Sequence, residues 1–393
     1  MNKKYYPSAF ILYLNYFIHG IGCSILGQAV IKEMLAEQWG AGAGAVGSVT
    51  MVAAALGLGR LISLPIAGPL SDKMGRKISS LIGVASYAIF FIGIAMSSNM
   101  WIAYVAAILG GIANSFLDTG VIPACVEILE PRSSLATMLT KFFISVAQLL
   151  LPFMLGSIAA ANLSYNVLLY ISGIAILVIG VLLFFAPLPK QEKKETEKAP
   201  SLLDNIKSAH FSIESIALIV IGFTCTATFQ LWLNCAQTFA KDIAGVQDPS
   251  IMQTYYSMGS LAAIIVTALL VSKIKGVRFL FVYPLVTLIS LIAVYFIRTE
   301  AICYIGAALV GYSAGGVILQ LVTATANDLF PKIKGTITSI VMIMSSLSNY
   351  TILSLAGTMN SDAILLMNIG ITAVGVLLAL FVNVRFKKLT SNL

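Results

Sequence analysis

Gly68-Pro69-Leu70-Ser71-Asp72-Lys73-Met74-Gly75-Arg76-Lys77 is a short charged stretch between two long apolar runs. Asp72, Lys73, Arg76 and Lys77 are costly to leave in hydrocarbon, so the stretch must sit in water at a membrane face. The run on either side is long enough to cross a bilayer, for which a helix needs roughly 20 apolar residues. Gly75 permits a sharp turn, and Gly68 is expected to let the end of the preceding helix approach a neighbour closely. The fold is therefore read outward from a membrane hairpin.

The rest of the chain has the same character. It is 393 residues long, 59% hydrophobic and only 10% charged, with a mean hydropathy of +0.94, more apolar surface than a soluble protein hides. The apolar runs are too long for strands and lack a two-residue alternation, which argues against a β-barrel. Twelve spans fit, at 8–31, 44–69, 78–97, 101–129, 135–160, 164–187, 212–238, 251–272, 278–297, 301–330, 336–358 and 362–384. The first run is too long for a cleavable signal and is kept as a helix. Cys23, Cys125, Cys225, Cys235 and Cys303 fall in or beside spans, form no C-x-x-C pair and read as small packing residues rather than as disulfides or metal ligands.

Charge fixes the orientation. Twenty of the 24 Lys and Arg fall on one side: the N-terminus, the even-numbered turns, the 188–211 segment and the C-terminal tail. Arg132 belongs to this group, with Lys141 just inside span five. Lys32, Lys241 and Arg298 fall on the other side, and Arg60 alone lies inside a span. By the positive-inside rule both termini are expected in the cytoplasm, in a multi-pass protein of the cytoplasmic membrane. The net charge of +8 is then topological, and nucleic acid is not an expected partner.

Residues 188–211 are the one long polar segment, a cytoplasmic linker with mixed charges and two prolines. They divide the chain into six-span halves, 1–187 and 212–393. A decayed repeat agrees with that division: Ser71 to Lys77 is echoed by Ser272-Lys273-Ile274-Lys275-Gly276-Val277-Arg278, and Glu127 to Arg132 by Asp328-Leu329-Phe330-Pro331-Lys332.

The charged stretch resembles the loop signature of the major facilitator superfamily, G-x-L-x-D-[RK]-x-G-R-[RK], with every specified position matched. The resemblance implies an all-α membrane protein of twelve helices in two pseudo-symmetric six-helix bundles. It also implies a secondary transporter whose substrate site lies between the halves near mid-membrane. Carried onto this chain, Gly68, Asp72, Gly75, Arg76 and Glu127 form a conformational latch, the alternative being a topological charge cluster with no conformational role. Asp72 would face the start of span eleven, and Arg76 would pair with Glu127 at the end of span four.

Polar residues inside spans are the site candidates. Arg60 and Asp118 both lie about 5 Å to the cytoplasmic side of midspan at 1.5 Å rise per residue, and since spans two and four belong to the same half, a buried pair is an expectation. The pair is either a static tie within the first half or a proton-coupling unit, with Asp118 protonatable and Arg60 a partner for it or for a substrate carboxylate. Asp118-Thr119-Gly120 resembles the D-T-G of the fucose–proton symporter branch. His19, midway along span one, is either a hydrogen-bonded packing residue or a proton or substrate ligand. Gln230, Asn234 and Gln237 share one face of span seven at i, i+4, i+7, and Gln320, Thr323, Asn349 and Tyr350 add polar groups from spans ten and eleven. Uncharged donors and acceptors predominate, which suggests a hydroxyl-bearing solute.

Two further patterns do not indicate a ligand site. Gly42-Ala43-Gly44-Ala45-Val46-Gly47 fits the dinucleotide fingerprint but opens a membrane span instead of following a strand. Gly311-Tyr312-Ser313-Ala314-Gly315 is read as close helix packing in span ten. There is no P-loop, metal-ligand cluster or catalytic triad, and no cofactor is expected beyond a coupling proton or sodium ion. The span-five stretch Ala147 to Gly156 keeps only Pro152 and Gly156 of the antiporter signature G-x-x-x-G-P-x-x-G-G. The expected function is uptake of a small polar organic solute, such as a sugar or sugar acid, by a monomeric proton symporter. Proton-coupled efflux of amphipathic compounds, or a receptor built on a transporter fold, are the alternatives.

Overall fold

The computed structural model describes residues 3–40, 46–130, 132–189, 211–271, 273–330 and 333–390. Residues 190–210 of the expected linker, Gly42–Ala45 of the glycine-rich stretch, and Pro131, Ser272, Pro331 and Lys332 of the repeat lie outside that set. The described residues contain twelve helices long and apolar enough to cross a membrane: Lys3–Gly27, Val46–Met74, Arg76–Ala95, Met100–Leu129, Leu135–Ala160, Asn166–Phe185, Ile213–Asp242, Ile251–Leu270, Gly276–Ile297, Glu300–Leu329, Lys334–Ala356 and Ser361–Arg385. They are called spans one to twelve. With an even number of crossings both chain ends lie on one side, here called the terminal end, and the opposite side is the far end.

Two boundaries differ from expectation. Span two continues through the charged stretch to Met74, so the turn between spans two and three is Gly75 alone. Gly75 has φ +97° and ψ 153°, a backbone region that side chains with a Cβ avoid. The second difference is a helix at Ala29–Gln38, set off from span one at Gln28, whose ψ of 129° breaks the helical path. Hydropathy missed it because it is a mixed sequence, Ala-Val-Ile-Lys-Glu-Met-Leu-Ala-Glu-Gln, lying across the far end.

The two six-span halves repeat a packing device. A Cβ added to Gly59 would lie 2.0 Å from the Ile108 carbonyl oxygen, and one at Gly111 would lie 2.0 Å from that of Leu56, so spans two and four touch backbone to backbone. Gly259 and Gly311, each 200 residues further along, stand in the same relation to the carbonyls of Ala308 and Tyr256, joining spans eight and ten. Small residues allow this approach in membranes, where packing must stand in for the missing hydrophobic drive. The glycines of Gly311–Gly315 do pack closely, against span eight, but within a π-helical turn that interrupts span ten.

The halves meet mostly at the far end. Leu231, Cys235, Leu353 and Ala356, from the far parts of spans seven and eleven, join the apolar core of the first six spans. A Cβ at Gly47 would come within 2.2 Å of the Gly357 carbonyl oxygen, and one at Gly27 equally close to that of Leu233. Polar groups complete this seam. Gln237 donates to Gln28 Oε1 at 2.9 Å and accepts from the Ala29 amide at 3.0 Å, while Glu33 pairs with Lys241.

The terminal end is built differently. Among the described residues its ion pairs stay within one half: Arg76 with Asp72 (2.7 Å) and with Glu127 (3.7 Å), and Arg385 with Glu214 (2.8 Å). Lys77 caps the end of span six through the carbonyls of Phe184 and Ala186. The close approach expected at Gly68 is not made, since a Cβ there would meet nothing within 4 Å. The tight glycines of span two are Gly47, Gly57 and Gly59, because it is the far part of this helix that is clamped between neighbours.

Candidate functional site

Between the halves lies a cavity of about 130 Å³. Its walls are polar where the helices turn amides, hydroxyls and charges inward. From the first half come His19, Arg60, Asn114, Lys141, Ser145 and Gln148. The second half supplies Gln230, Asn234, Gln320, Ser345, Ser346 and Asn349, with Tyr87 and Tyr256 as aromatic walls from either side. Gly57, packed against the Tyr350 amide and Asn349, and Gly315, packed against Tyr256, let the helices close around this space.

Arg60 and Asp118 are joined, Nη2 to Oδ2 at 2.8 Å, as their positions on neighbouring spans suggested. The other carboxylate oxygen of Asp118 accepts from the Tyr16 hydroxyl at 2.7 Å. Asp118 thus stands one layer behind the wall that Arg60 forms, held by two donors. Thr119 and Gly120 have local duties: the Thr119 carbonyl accepts from Ser71 at 2.7 Å, and a Cβ at Gly120 would collide with Ser80. His19 shares a hydrogen bond with the Tyr87 hydroxyl and lines the cavity. Two side-chain atoms of these lining residues, Arg60 Nε and Asn349 Oδ1, are buried with no hydrogen-bond partner among the described residues, a desolvation cost of the packed arrangement.

Four expected cavity residues do not line the cavity: Asp118, which stands behind Arg60, and three that lie elsewhere. Gln237 is buried in the far seam on Gln28 and Ala29, because its side chain emerges beyond Asn234, the last cavity-lining residue of span seven. Thr323 bonds back to the Leu319 carbonyl of its own helix at 2.8 Å. Tyr350 packs on the first-half core. In the latch, Arg76 does reach Glu127, while Asp72, 70% exposed, is paired with Arg76 of its own hairpin.

Two lysines were missed. Lys141, counted as a boundary charge, stands on the cavity wall. With the Gln320 amide turned so that its nitrogen donates to the Val317 carbonyl, its oxygen accepts from Lys141 Nζ at 3.2 Å, a bridge between spans five and ten. The signal was available: Lys141, like Arg60, lies inside an apolar run. Lys32, counted as a loop charge, is 1% exposed, and its Nζ donates to Thr50 Oγ1 at 2.8 Å and to the Asn234 carbonyl oxygen. Gln148, in the stretch compared with the antiporter signature, donates to Ser24 Oγ at 2.8 Å at the cavity edge.

This geometry resembles that of known membrane transporters. Residues 12–352 match the profile described as Major Facilitator Superfamily. The chain is 33% identical over 393 residues to the uncharacterized MFS-type transporter YfkL of Bacillus subtilis (strain 168), covering 96% of each. It is 31% identical over 399 residues to the inner membrane transport protein YdiN of Escherichia coli (strain K12), covering 98% of this chain and 92% of that protein. A D-xylose–proton symporter structure superposes with TM-score 0.75 over 95% of this chain and 96% of that one at 16% identity, a likeness of fold alone. None of these comparisons ties Asp118-Thr119-Gly120 to the fucose–proton branch. The profile match and the full-length relatives establish that the chain belongs to the major facilitator superfamily, as a secondary transporter of twelve membrane helices.

Proposed function

We propose that this transporter takes up a small polar organic solute across the cytoplasmic membrane by alternating access, driven by protons. The observation that carries the proposal is the cavity: it lies between the halves, is lined by amides, hydroxyls and cations, and is sealed at one end. Its volume of about 130 Å³ is below the roughly 300–1,000 Å³ of drug-sized sites, which favours a compact solute over an amphipathic drug. In this reading the terminal end, which carries most of the basic residues, is the cytoplasmic one and the closed far seam faces outside. Asp118 is the proposed proton carrier, because protonating it removes the partner of Arg60 and changes the charge of the cavity wall.

The test is flux in liposomes containing the purified protein. Radiolabelled sugars and sugar acids should accumulate when the proton gradient points inward. Asp118→Asn should abolish accumulation and leave solute exchange partly intact. Dye exclusion without solute accumulation would replace uptake by efflux, and absence of any flux would support a receptor. Full accumulation by Asp118→Asn would remove Asp118 as the proton carrier.

A further inference from the structure

The cavity wall carries two cations, Arg60 and Lys141, and no carboxylate. Arg60 is neutralised from behind by Asp118, whose two oxygens are both engaged, one by Arg60 and one by Tyr16. Lys141 has no such partner: among the described residues no carboxylate lies within ion-pair distance of it, and its bond to Gln320 is to a neutral amide. One positive charge therefore remains uncompensated on the wall of a small cavity in the middle of a membrane protein. An ammonium so placed is expensive unless it faces water or an anion, and intramembrane charges of this kind mark substrate paths.

We propose that Lys141, seated by Gln320, is the recognition point for the carboxylate of a small monoanionic hydroxy acid. The proposal rests on the transporter function given above and narrows its substrate class. A single ammonium flanked by neutral amides matches a single negative charge. A phosphate dianion would need a second free cation, which Arg60 does not offer while it holds Asp118. The rest of the solute would meet hydroxyl-matching groups on the cavity wall, Asn349, Gln230, Ser345 and Ser346. Lys141 comes from the first half and Gln320 from the second, so an anion bound there engages both halves.

Matched probes test this: D-gluconate against D-glucitol and D-glucuronate against D-glucose, titrated by calorimetry into the purified full-length protein. The acids should bind and their neutral counterparts should not. Lys141→Met should weaken acid binding at least about tenfold, equal to about 1.4 kcal/mol. Lys141→Arg should keep it within a few-fold, which separates loss of charge from loss of folding. Equal or better binding of the neutral member, acid binding unchanged in Lys141→Met, or no binding by either acid overturns the inference. Spin labels at Glu37 and Gln247, exposed on opposite halves of the far end, report whether the seam opens and closes irrespective of solute. Switching labels with no acid binding reject only the anion site; static labels and no flux of any solute reject the transporter mechanism as well.

Discussion

Lys32 makes the closed far seam dependent on pH. Its ammonium is 1% exposed and is held by a hydroxyl and a backbone carbonyl, both neutral acceptors. Two charge-assisted bonds return about 1.5–3 kcal/mol each, against a dehydration cost of several kcal/mol for an ion. Burial accordingly pushes the Lys32 pKa down in the closed state, with Cys235 and Asp242 of span seven acting the other way. Opening the seam returns the side chain to water, where a lysine titrates near 10.4. The closed state thus binds fewer protons than the open one between those two values. Raising the pH favours closure there and lowering it favours opening, by up to about 1.36 kcal/mol, a tenfold change in the ratio, per pH unit. Above the open-state value the effect ends, since both states are then neutral. The assay is the distance distribution between spin labels at Glu37→Cys and Gln247→Cys, on a background lacking the five native cysteines, followed downward from about pH 10.4, the open-state value. The long-distance population should grow as the pH falls in the parent. Lys32→Met, which keeps the stem and removes the titrating group, should flatten the curve and favour closure. An identical pH response in Lys32→Met would refute the reasoning, because some other group would then be titrating.

Other perturbations separate the two ends of span two. Gly47→Leu puts side-chain atoms where a Cβ is already only 2.2 Å from the Gly357 carbonyl. An overpacking penalty of about 1–3 kcal/mol should hold the far seam open, cutting transport and lengthening the label distances. Gly75→Ala should lower thermal stability by on the order of 1–3 kcal/mol, because its φ of +97° is a strained one for alanine. Gly68→Ala, with open space around its Cβ, should leave melting within about 0.5 kcal/mol of the parent. Asp72→Asn removes an i, i+4 pair whose carboxylate is 70% exposed, so stability should fall by no more than about 0.5 kcal/mol. A shift in inside/outside accessibility without a matching loss of stability would be the signature of a latch, and unchanged accessibility would reject that role.

Hydropathy placed all twelve spans within a few residues, and helix rise alone brought Arg60 level with Asp118 on adjacent spans. Both are local properties: the cost of moving a residue into hydrocarbon and the 1.5 Å step of a helix act residue by residue. The same additivity hid Lys32 and Lys141, because a lysine near a predicted boundary looks like any topological charge until its neighbours are known. It likewise put Gln237 on a cavity face that it shares in projection with Gln230 and Asn234, although it stands further along the axis and meets Gln28.

The amino-acid order by itself determined a twelve-helix membrane protein with a charged hairpin, a repeat of its first half in its second, and an ion pair inside the first bundle. Only the tertiary structure decided which end is sealed, which lysine enters the cavity and which is locked into the seam. Those outcomes depend on how each helix is rotated and on which two surfaces happen to be in contact in one of the states the protein visits, and no window of residues along a single helix contains that information.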